Sequence, residues 1–420
     1  MQVLEGIKVV DLSTAYSAPI ATMQLADFGA EVIKIENTAG GDGSRSWNPS
    51  VNGQGIHFLY MNRNKKSVAL NLKSPEGKRI LFELVKDADI VVENFRPGVT
   101  RKLGIDYEAM RAVKPDIIMA SLSGYGQTGP YATRGAYSNL AEALSGLMYV
   151  TGWPAPEGKP TASGVAFGDS VAGMFLTQGI LYALYHRERT GQGQYIDVSM
   201  VDSLVALLQH CFVQCSLMGQ EPERIGNRDL SDYPYDLFEA KDGYCQLGNS
   251  TPRDWSRFAQ AIGRPDLGED PAYKTSAQRW AHIGELHDII QDWASQRTRK
   301  EIEAIFTEYG QLYAPVLKIS EVMQDEQVLF REMVVDMEYE GMGKYKDKGI
   351  PVKMSRTPGR IRSMPPPPGR AHRRHSLRPG LHRRRAGAAQ KRRRDPLTPS
   401  PPPGETWMIG VNQDYGRSSL

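Results

Sequence analysis

The first 200 residues alternate between short runs of β-branched residues and segments with helical periodicity, which restricts the chain to few folds. Residues 8–13 (KVVDLS) and 31–36 (EVIKIE) are typical of buried parallel strands. Between them, apolar residues recur at helical spacing from Pro19, which suits a first helical turn, to Gly29, which suits a helix end. A strand, a helix and a parallel strand make a βαβ unit, so the sequence predicts a doubly wound α/β sheet.

Four further strands are predicted after this unit, at residues 67–72, 89–95, 116–123 and 194–199. Ligands of doubly wound sheets bind beyond the carboxyl ends of the strands, so we expect a site in the loops that follow them. Those loops carry Tyr, Asn, Phe, Lys and Arg, which suit an adenine nucleotide with phosphates, although ordinary loop polarity would give the same residues. The chain has neither GxGxxG after its first strand nor GxxxxGK(S/T), which argues against a dinucleotide or P-loop site.

The sequence pattern changes near residue 225, where two short strands around a Lys-Asp-Gly turn precede several amphipathic helices. We therefore predict a large domain over residues 1–200, a linker over 201–224 and a small α+β domain over 225–325. Residues 326–364 are predicted to return to the large domain.

One carboxylate, Asp169, lies in a run of small residues at 161–173 (TASGVAFGDSVAG). Helical spacing of apolar residues begins at Val171, which predicts that Asp169 lies at or just before a helix N-terminus. There the side chain could cap the helix, or it could be a nucleophile stabilised by free N–H groups and the helix dipole. Gly168 would let a bulky thioester approach the backbone. The residues alone leave both roles of Asp169 open.

Eight phrases, in this order, resemble the class III CoA-transferases, the family of formyl-CoA transferase and carnitine CoA-transferase, with 2-methylacyl-CoA racemase as a relative. They are LEGIKVVDLS, FGAEVIKIE, NRNKKSVALNLKSPEG, DIVVENFRPGV, GYGQTGPY, FGDSVAG, RTGQGQYIDVSM and APVLKISEV, and together they span about residues 1–365. The resemblance implies a Rossmann-like large domain, a smaller α+β domain and a homodimer of interlocked chains.

The resemblance also implies an activity, acyl-CoA:carboxylate CoA transfer, and it identifies Asp169 as the match of the family's catalytic carboxylate. Asp169 would form a mixed anhydride with the donor acyl group and then hold CoA as a thioester until an acceptor acid takes it. The CoA thioester would be a substrate, with no permanently bound cofactor. The partners would be an acyl-CoA donor and a carboxylic acid acceptor.

Positions that match the family's CoA-binding residues are implied to bind CoA here. Asn94 and Phe95 would contact the adenosine, Tyr16 and Leu70 would line the CoA site, and Lys102 would bind a phosphate.

The sequence departs from formyl-CoA transferase at several of these places. Asn37 stands where that enzyme has Arg and Gly135 where it has Lys, so those charges are either lost or supplied elsewhere, with Arg45 and Arg134 as candidates. Its glycine-run loop is absent, and residues 248–255 read GNSTPRDW instead. We therefore do not expect formate and oxalate as the natural pair of acids.

Two alternatives to CoA transfer remain. The racemase has a catalytic His after its GPY turn, but this chain has Tyr137 in that phrase, and tyrosine is a poor base for an α-proton at neutral pH. The second alternative is a nucleic-acid-binding protein that uses the basic residues 370–394.

The sequence after Pro365 does not resemble a family C-terminus. Eleven of the 51 Lys and Arg lie in residues 370–394 without any acid, so 40 remain against 48 Asp and Glu, a net charge of −8 for the rest. One back-translation of residues 369–376, moved by one base, reads Gly-Glu-His-Thr-Asp-Asp-Ile-Leu, which resembles the family's acidic continuation. We hypothesise a frameshift near 365–368 and a disordered tail over 365–420 without a nucleic-acid partner, which the nucleotide sequence of the gene would test.

The cysteines Cys211, Cys215 and Cys245 have no CxxC or zinc spacing, which predicts no metal site and fits a reducing compartment. No apolar run is long enough for a membrane span, and the N-terminus enters strand pattern without a signal peptide. We therefore expect a cytoplasmic protein with no membrane partner.

Overall fold

A six-stranded parallel sheet is the main feature of the computed structural model, which describes residues 1–249, 251 and 254–365. Its strands are β1 (Lys8–Asp11), β2 (Glu31–Glu36), β3 (Lys65–Ala69), β4 (Ile90–Glu93), β5 (Ile118–Ser123) and β6 (Tyr195–Ser199). They lie in the order β3-β2-β1-β4-β5-β6, and every neighbouring pair is parallel. The prediction of an α/β fold is confirmed, and the bounds of all six strands agree with the predicted ones to within three residues.

Helices cover both faces of this sheet because alternate residues of a strand point to opposite sides. Val9 and Val92 pack in one core with two helices, Ser17–Asp27 and Phe167–Thr190, whereas Val10 and Val91 pack in the other with the helices Pro75–Lys86 and Tyr107–Val113. The helices of this part of the chain are α1 (Ser17–Asp27), α2 (Ile56–Asn62), α3 (Pro75–Lys86), α4 (Val99–Leu103), α5 (Tyr107–Val113), α6 (Ser138–Ser145), α7 (Leu147–Val150), α8 (Phe167–Thr190), α9 (Met200–Val205) and α10 (Cys211–Val213), with a 3₁₀ turn at Gly43–Arg45. A two-residue hairpin pairs Ser50–Val51 with Gln54–Gly55.

Close packing of α1 against α8 brings their N-terminal ends together. Gly173 makes this possible, since a Cβ atom at that position would stand 2.7 Å from the carbonyl oxygen of Ser17. A larger residue at 173 would force the two helices apart.

Within the predicted linker, apolar residues at helical spacing also predict a helix over residues 202–218, and this prediction is wrong. α9 ends at Val205, Gln209 has a left-handed φ of +41°, and only a single turn, α10, and a π-helical turn at Gln214–Met218 follow. Most of the stability of a protein helix comes from packing of its apolar face. The apolar side chains here, Phe212, Val213, Leu217 and Met218, are instead exposed.

A second hydrophobic core lies between residues 233 and 313. It is built on an antiparallel sheet of β7 (Tyr235–Ala240), β8 (Gly243–Gly248) and β9 (Leu312–Pro315), so the predicted hairpin is confirmed. Its helices are α11 (Trp255–Ala261), α12 (Pro265–Glu269), α13 (Ser276–Ala281), α14 (Ile283–Ser295) and α15 (Arg299–Glu308), with a 3₁₀ turn at Pro271–Tyr273. The domain boundaries given above stay predictions.

The last described part of the chain contacts the segment between α2 and β3. It contains α16 (Ile319–Val322), α17 (Glu326–Phe330) and a hairpin of β10 (Val334–Tyr339) and β11 (Gly343–Lys348). Asn64 donates its backbone N–H to the carbonyl oxygen of Ser363 at 2.8 Å, and the Arg63 guanidinium donates to the carbonyl oxygen of Lys348 at 2.7 Å.

Two of the sequence hypotheses concern, partly or wholly, residues that the structure does not describe. The proposed frameshifted tail beyond Pro365, and positions 250, 252 and 253 of the 248–255 loop, lie outside the described residues. Within the described ranges, no helix is long and apolar enough to cross a membrane.

Candidate active site

Asp169 is the third residue of α8, whose N-cap is Ala166. The helix therefore begins before Asp169, and the interpretation of Asp169 as the N-cap is wrong. A carboxylate in the first turn of a helix is still stabilised by the helix dipole and by N–H groups that have no partner inside the helix.

The environment of Asp169 makes its carboxylate more basic than usual. Burial raises the pKa of Asp169 to about 6, and a hydrogen bond with the Ser17 side chain counteracts part of that rise. Ser17 is the first residue of α1, so the N-terminal ends of α1 and α8 meet at this carboxyl group. The group is ionised at neutral pH and incompletely solvated, as expected of a carboxylate that acts as a nucleophile.

Gly168 serves packing and not ligand access. Its N–H donates to Ser138 Oγ at 2.9 Å, and a Cβ atom at 168 would stand 3.2 Å from that oxygen and 3.3 Å from Leu204 Cδ1. The prediction that Gly168 opens space for a thioester is therefore wrong, since protein atoms of α6 and α9 fill that space.

An aromatic cluster of Tyr16, Trp47, His57 and Tyr60 lies beside Asp169. The centroid of the Tyr16 ring is 5.9 Å from that of Tyr60 and 6.2 Å from that of His57. The His57 and Trp47 ring centroids are 6.0 Å apart. His57 Nδ1 and Tyr60 Oη are 3.0 Å apart. Burial raises the pKa of Tyr60 above its ordinary range, and Tyr16 and the nearby Asp169 charge contribute.

Sequence reasoning found Tyr16 but missed the other members of the aromatic cluster. The available signal was the i,i+3 spacing of His57 and Tyr60, which puts both on one face of a helix. Such a spacing is common in helices that have no site.

Asn94 joins two of the loops at the carboxyl edge of the sheet. Its side-chain Oδ1 accepts the N–H of Thr14 and its Nδ2 donates to the carbonyl oxygen of Thr14, both at 2.8 Å. The loop after β4 thereby holds the loop after β1 that carries Tyr16. Leu70 and Phe95 both belong to the core on the α3 face of the sheet, Leu70 buried and Phe95 partly buried. The structure thus brings these four predicted residues to one edge.

The Lys and Arg residues considered for phosphate binding differ in their burial and in their partners. Arg45 is buried against Glu36, with Nε–Oε2 and Nη2–Oε1 distances of 2.8 and 2.7 Å, so the hypothesis that it replaces a phosphate-binding charge is wrong. Lys102 is exposed on α4, and the Arg134 guanidinium lies 3.7 Å from the Tyr131 ring centroid. Arg96, which the sequence did not single out, reaches the space that a side chain on Gly135 would occupy, at 3.3 Å.

Comparison with known proteins shows the family to which the chain belongs. The family described as CoA-transferase family III matches residues 4–372 of the chain. Succinyl-CoA:glutarate CoA-transferase of Mus musculus is 37% identical over 393 residues, which cover 93% of this chain and 89% of that protein. Acetyl-CoA:oxalate CoA-transferase of Acetobacter aceti is 37% identical over 352 residues, covering 84% and 89%.

A solved structure shows the same relationship. The crystal structure of a CAIB/BAIF family protein from Brucella suis has a TM-score of 0.78 at 30% identity, covering 87% of this chain and 96% of that one. Both the family match and these similarities extend over most of the described residues. This chain therefore belongs to CoA-transferase family III and is a class III CoA-transferase.

Proposed function

We propose that this enzyme moves CoA from an acyl-CoA donor to a carboxylic acid through covalent intermediates on Asp169. The observation that carries the proposal is the Asp169 carboxylate, with its raised pKa, at the point where the N-terminal ends of α1 and α8 meet. Two helix dipoles there favour negative charge, both on the carboxylate and on the oxyanions that form when it reacts.

The reaction has four steps. The Asp169 carboxylate attacks the donor thioester, which forms a mixed anhydride and releases CoA thiolate. The thiolate attacks the Asp169 carbonyl of the anhydride, so that Asp169 becomes a CoA thioester and the donor acid leaves. The acceptor carboxylate then attacks this thioester, giving a second anhydride and free thiolate, which finally attacks the acceptor's carbonyl. Acceptor acyl-CoA leaves, and the Asp169 carboxylate is regenerated.

Backbone N–H groups are the proposed source of oxyanion stabilisation. The first turn of α1 has N–H groups without partners inside the helix, and its Ser17 hydrogen-bonds the reacting carboxyl. The N–H of Gly168 is already donated to Ser138, so α1 is better suited to this role than the start of α8.

The CoA moiety is proposed to bind at the carboxyl edge of the sheet. The strand order β3-β2-β1-β4-β5-β6 supports a Rossmann-like site there. Leu70, Asn94, Phe95 and Tyr16 would line it, while the exposed cations Lys102, Arg134 and Arg96 would bind phosphates. The carboxamide of Asn94 holds Thr14, so we expect it to shape the adenosine site through that loop.

The acceptor is proposed to be a dicarboxylic acid. Relatives at 33–37% identity are named for transfer to glutarate, oxalate and D-citramalate, each of which has two carboxyl groups.

A homodimer is also proposed, with interlocked chains as in the family. Monomeric soluble proteins rarely expose large contiguous apolar patches. Exposed apolar side chains are numerous from α6 to α10 and include Tyr137, Leu140, Leu144, Val165, Met174, Leu181, Tyr182, Tyr185, Phe212 and Val213. Their number supports burial against a second copy.

The pH dependence should follow the ionisation of Asp169. Because the ionised form is the nucleophile and its pKa is about 6, kcat/KM for the acyl-CoA donor should fall about tenfold per pH unit below pH 6. Initial rates between pH 4.5 and 8.5 measure this. A rate that stays level down to pH 5 would show that Asp169 does not react as an anion with this pKa.

Exchange of an isotope label tests the function itself. With succinyl-CoA and ¹³C-glutarate, we expect labelled glutaryl-CoA and one equivalent of free succinate, both detectable by mass spectrometry. A run in D₂O with 2-methylacyl-CoA is the control for the racemase, and we expect no α-deuterium. Deuterium incorporation without acid exchange would refute CoA transfer.

A further inference from the structure

We propose that Lys348 binds the second carboxylate of a dicarboxylic substrate and so determines the preference for such acids over monocarboxylic ones. The inference rests on the function proposed above. It concerns a residue far along the chain from Asp169, on the hairpin strand β11.

The backbone of Lys348 is held by a buried ion pair. Arg63 donates from Nη1 to the Lys348 carbonyl oxygen at 2.7 Å, and its Nη2 pairs with Asp27 Oδ2 at 2.7 Å. Lys348 also pairs with Val334 in the β10–β11 hairpin. The base of the side chain is therefore fixed in place, while its four-carbon stem remains flexible enough to reach acids of different length.

The side chain of Lys348 points to the aromatic cluster beside Asp169. Its Nζ lies 3.7 Å from the centroid of the Tyr60 ring. Tyr60 in turn packs against Tyr16, the residue before the Ser17 that hydrogen-bonds Asp169. The Lys348 ammonium thus contacts the same aromatic cluster that lies beside the reacting carboxylate.

Lys348 differs from the other cations of this region in being only weakly paired. The buried cations of the sheet each have a carboxylate at 2.7–3.0 Å, namely Lys34 with Asp42, Arg45 with Glu36, Arg63 with Asp27 and Lys65 with Asp11. The ammonium of Lys348 is 3.8 Å from Asp347 Oδ1, and its side chain is 52% exposed. Its ammonium is therefore more available to an added carboxylate than those of the four buried cations are.

A dicarboxylic substrate brings a second negative charge to the active site, and a cation can balance it. One carboxyl group of the acid reacts at Asp169, and the other stays an anion that must be held away from the attacking carboxylate. An ammonium above Tyr60, with the Tyr60 hydroxyl and the His57 ring beside it, offers a counter-charge and hydrogen-bonding groups. A monocarboxylic acid leaves this counter-charge unused.

The test compares acids of equal chain length, glutarate and valerate, in the full-length enzyme and in Lys348→Met. We expect the KM for glutarate to rise about 10- to 100-fold, the contribution of one hydrogen bond to a charged group, and the KM for valerate to change less than about twofold. Lys348→Arg should restore most of the preference for glutarate. Lys346→Met is the matched control, because Lys346 lies on the same strand and pairs with Asp336 on the surface.

Two outcomes would overturn the proposal. If the KM values for glutarate and valerate changed equally in Lys348→Met, Lys348 would act in CoA binding or in folding. If the unaltered enzyme used glutarate and valerate equally well, there would be no preference for Lys348 to explain. Trapping of CoA on Asp169 distinguishes failure of the Lys348 proposal from failure of the covalent mechanism. If only the Lys348 proposal fails, Lys348→Met still forms the CoA adduct on Asp169 with an acyl-CoA donor. If the covalent mechanism fails, even the unaltered enzyme forms no adduct.

Discussion

Replacement of Asp169 by Asn should lower the rate of CoA transfer at least about a thousand-fold without unfolding the protein. The amide has nearly the shape of the carboxyl group but no nucleophilic oxygen anion, so neither anhydride nor thioester can form. The remaining activity would come from substrate binding alone.

The stability of Asp169→Asn should be equal to or greater than that of the unaltered enzyme at pH 7 to 8. The folded-state pKa of about 6 lies above the ordinary value of 3.8, so the folded protein binds the proton more tightly than the unfolded chain does. Stability from this group is therefore present below pH 4 and is lost as the pH rises to about 6. A neutral amide avoids that loss, which a comparison of melting temperatures at pH 5 and 7.5 would detect.

A matched control for this variant is Asp202→Asn. Asp202 is also in the first turn of a helix, α9, but its side chain is exposed. It should keep full activity and an unchanged melting temperature. If Asp169→Asn retained more than a tenth of the rate, covalent catalysis by Asp169 would be refuted.

Replacement of Lys65 by Met should destabilise the protein by about 3–5 kcal/mol, because it leaves the buried carboxylate of Asp11 without its partner. Lys65 is buried, and its Nζ contacts Asp11 Oδ2 at 3.0 Å, Thr22 Oγ1 at 2.7 Å and Asn62 Oδ1 at 2.9 Å. These groups join β1, α1, α2 and β3 beneath the loop that carries Tyr16.

The neighbouring residue provides the control for this experiment. Lys66 is exposed and pairs with the partly exposed Glu31, so Lys66→Met should cost no more than about 1 kcal/mol. Urea titrations of both variants measure the two changes in the free energy of unfolding. Equal losses for the two variants would show that the buried charge network does not stabilise this fold.

The sequence predicted the sheet well because its strands are apolar runs between clear turn signals. The sequence also predicted the position of Asp169 to within one turn of the α8 N-terminus, since the small-residue run and the helical spacing are both local features of the sequence. The prediction of a helix over 202–218 is wrong because the stability of a helix depends on packing, which is not a local property of the sequence. The apolar spacing suits a helix, but Phe212 and Leu217 are exposed, so packing adds little to the stability of such a helix.

The parts of the site that sequence reasoning missed depend on contacts between distant segments. Lys348 lies near Tyr60 only because the β10–β11 hairpin returns to α2, almost 290 residues later in the chain. Arg45 was misjudged because nothing local reveals that Glu36 neutralises it. Arg96 and Gly135 come from different loops, and their proximity cannot be derived from either loop alone.

The most direct test of the central claim is mass spectrometry of the enzyme after incubation with an acyl-CoA donor and trapping with hydroxylamine or borohydride. The proposed mechanism predicts that the peptide containing Asp169 is modified at that residue, and that Asp169→Ala shows no modification. An unmodified Asp169 peptide, from enzyme that transfers CoA at its full rate under the same conditions, would contradict the covalent mechanism.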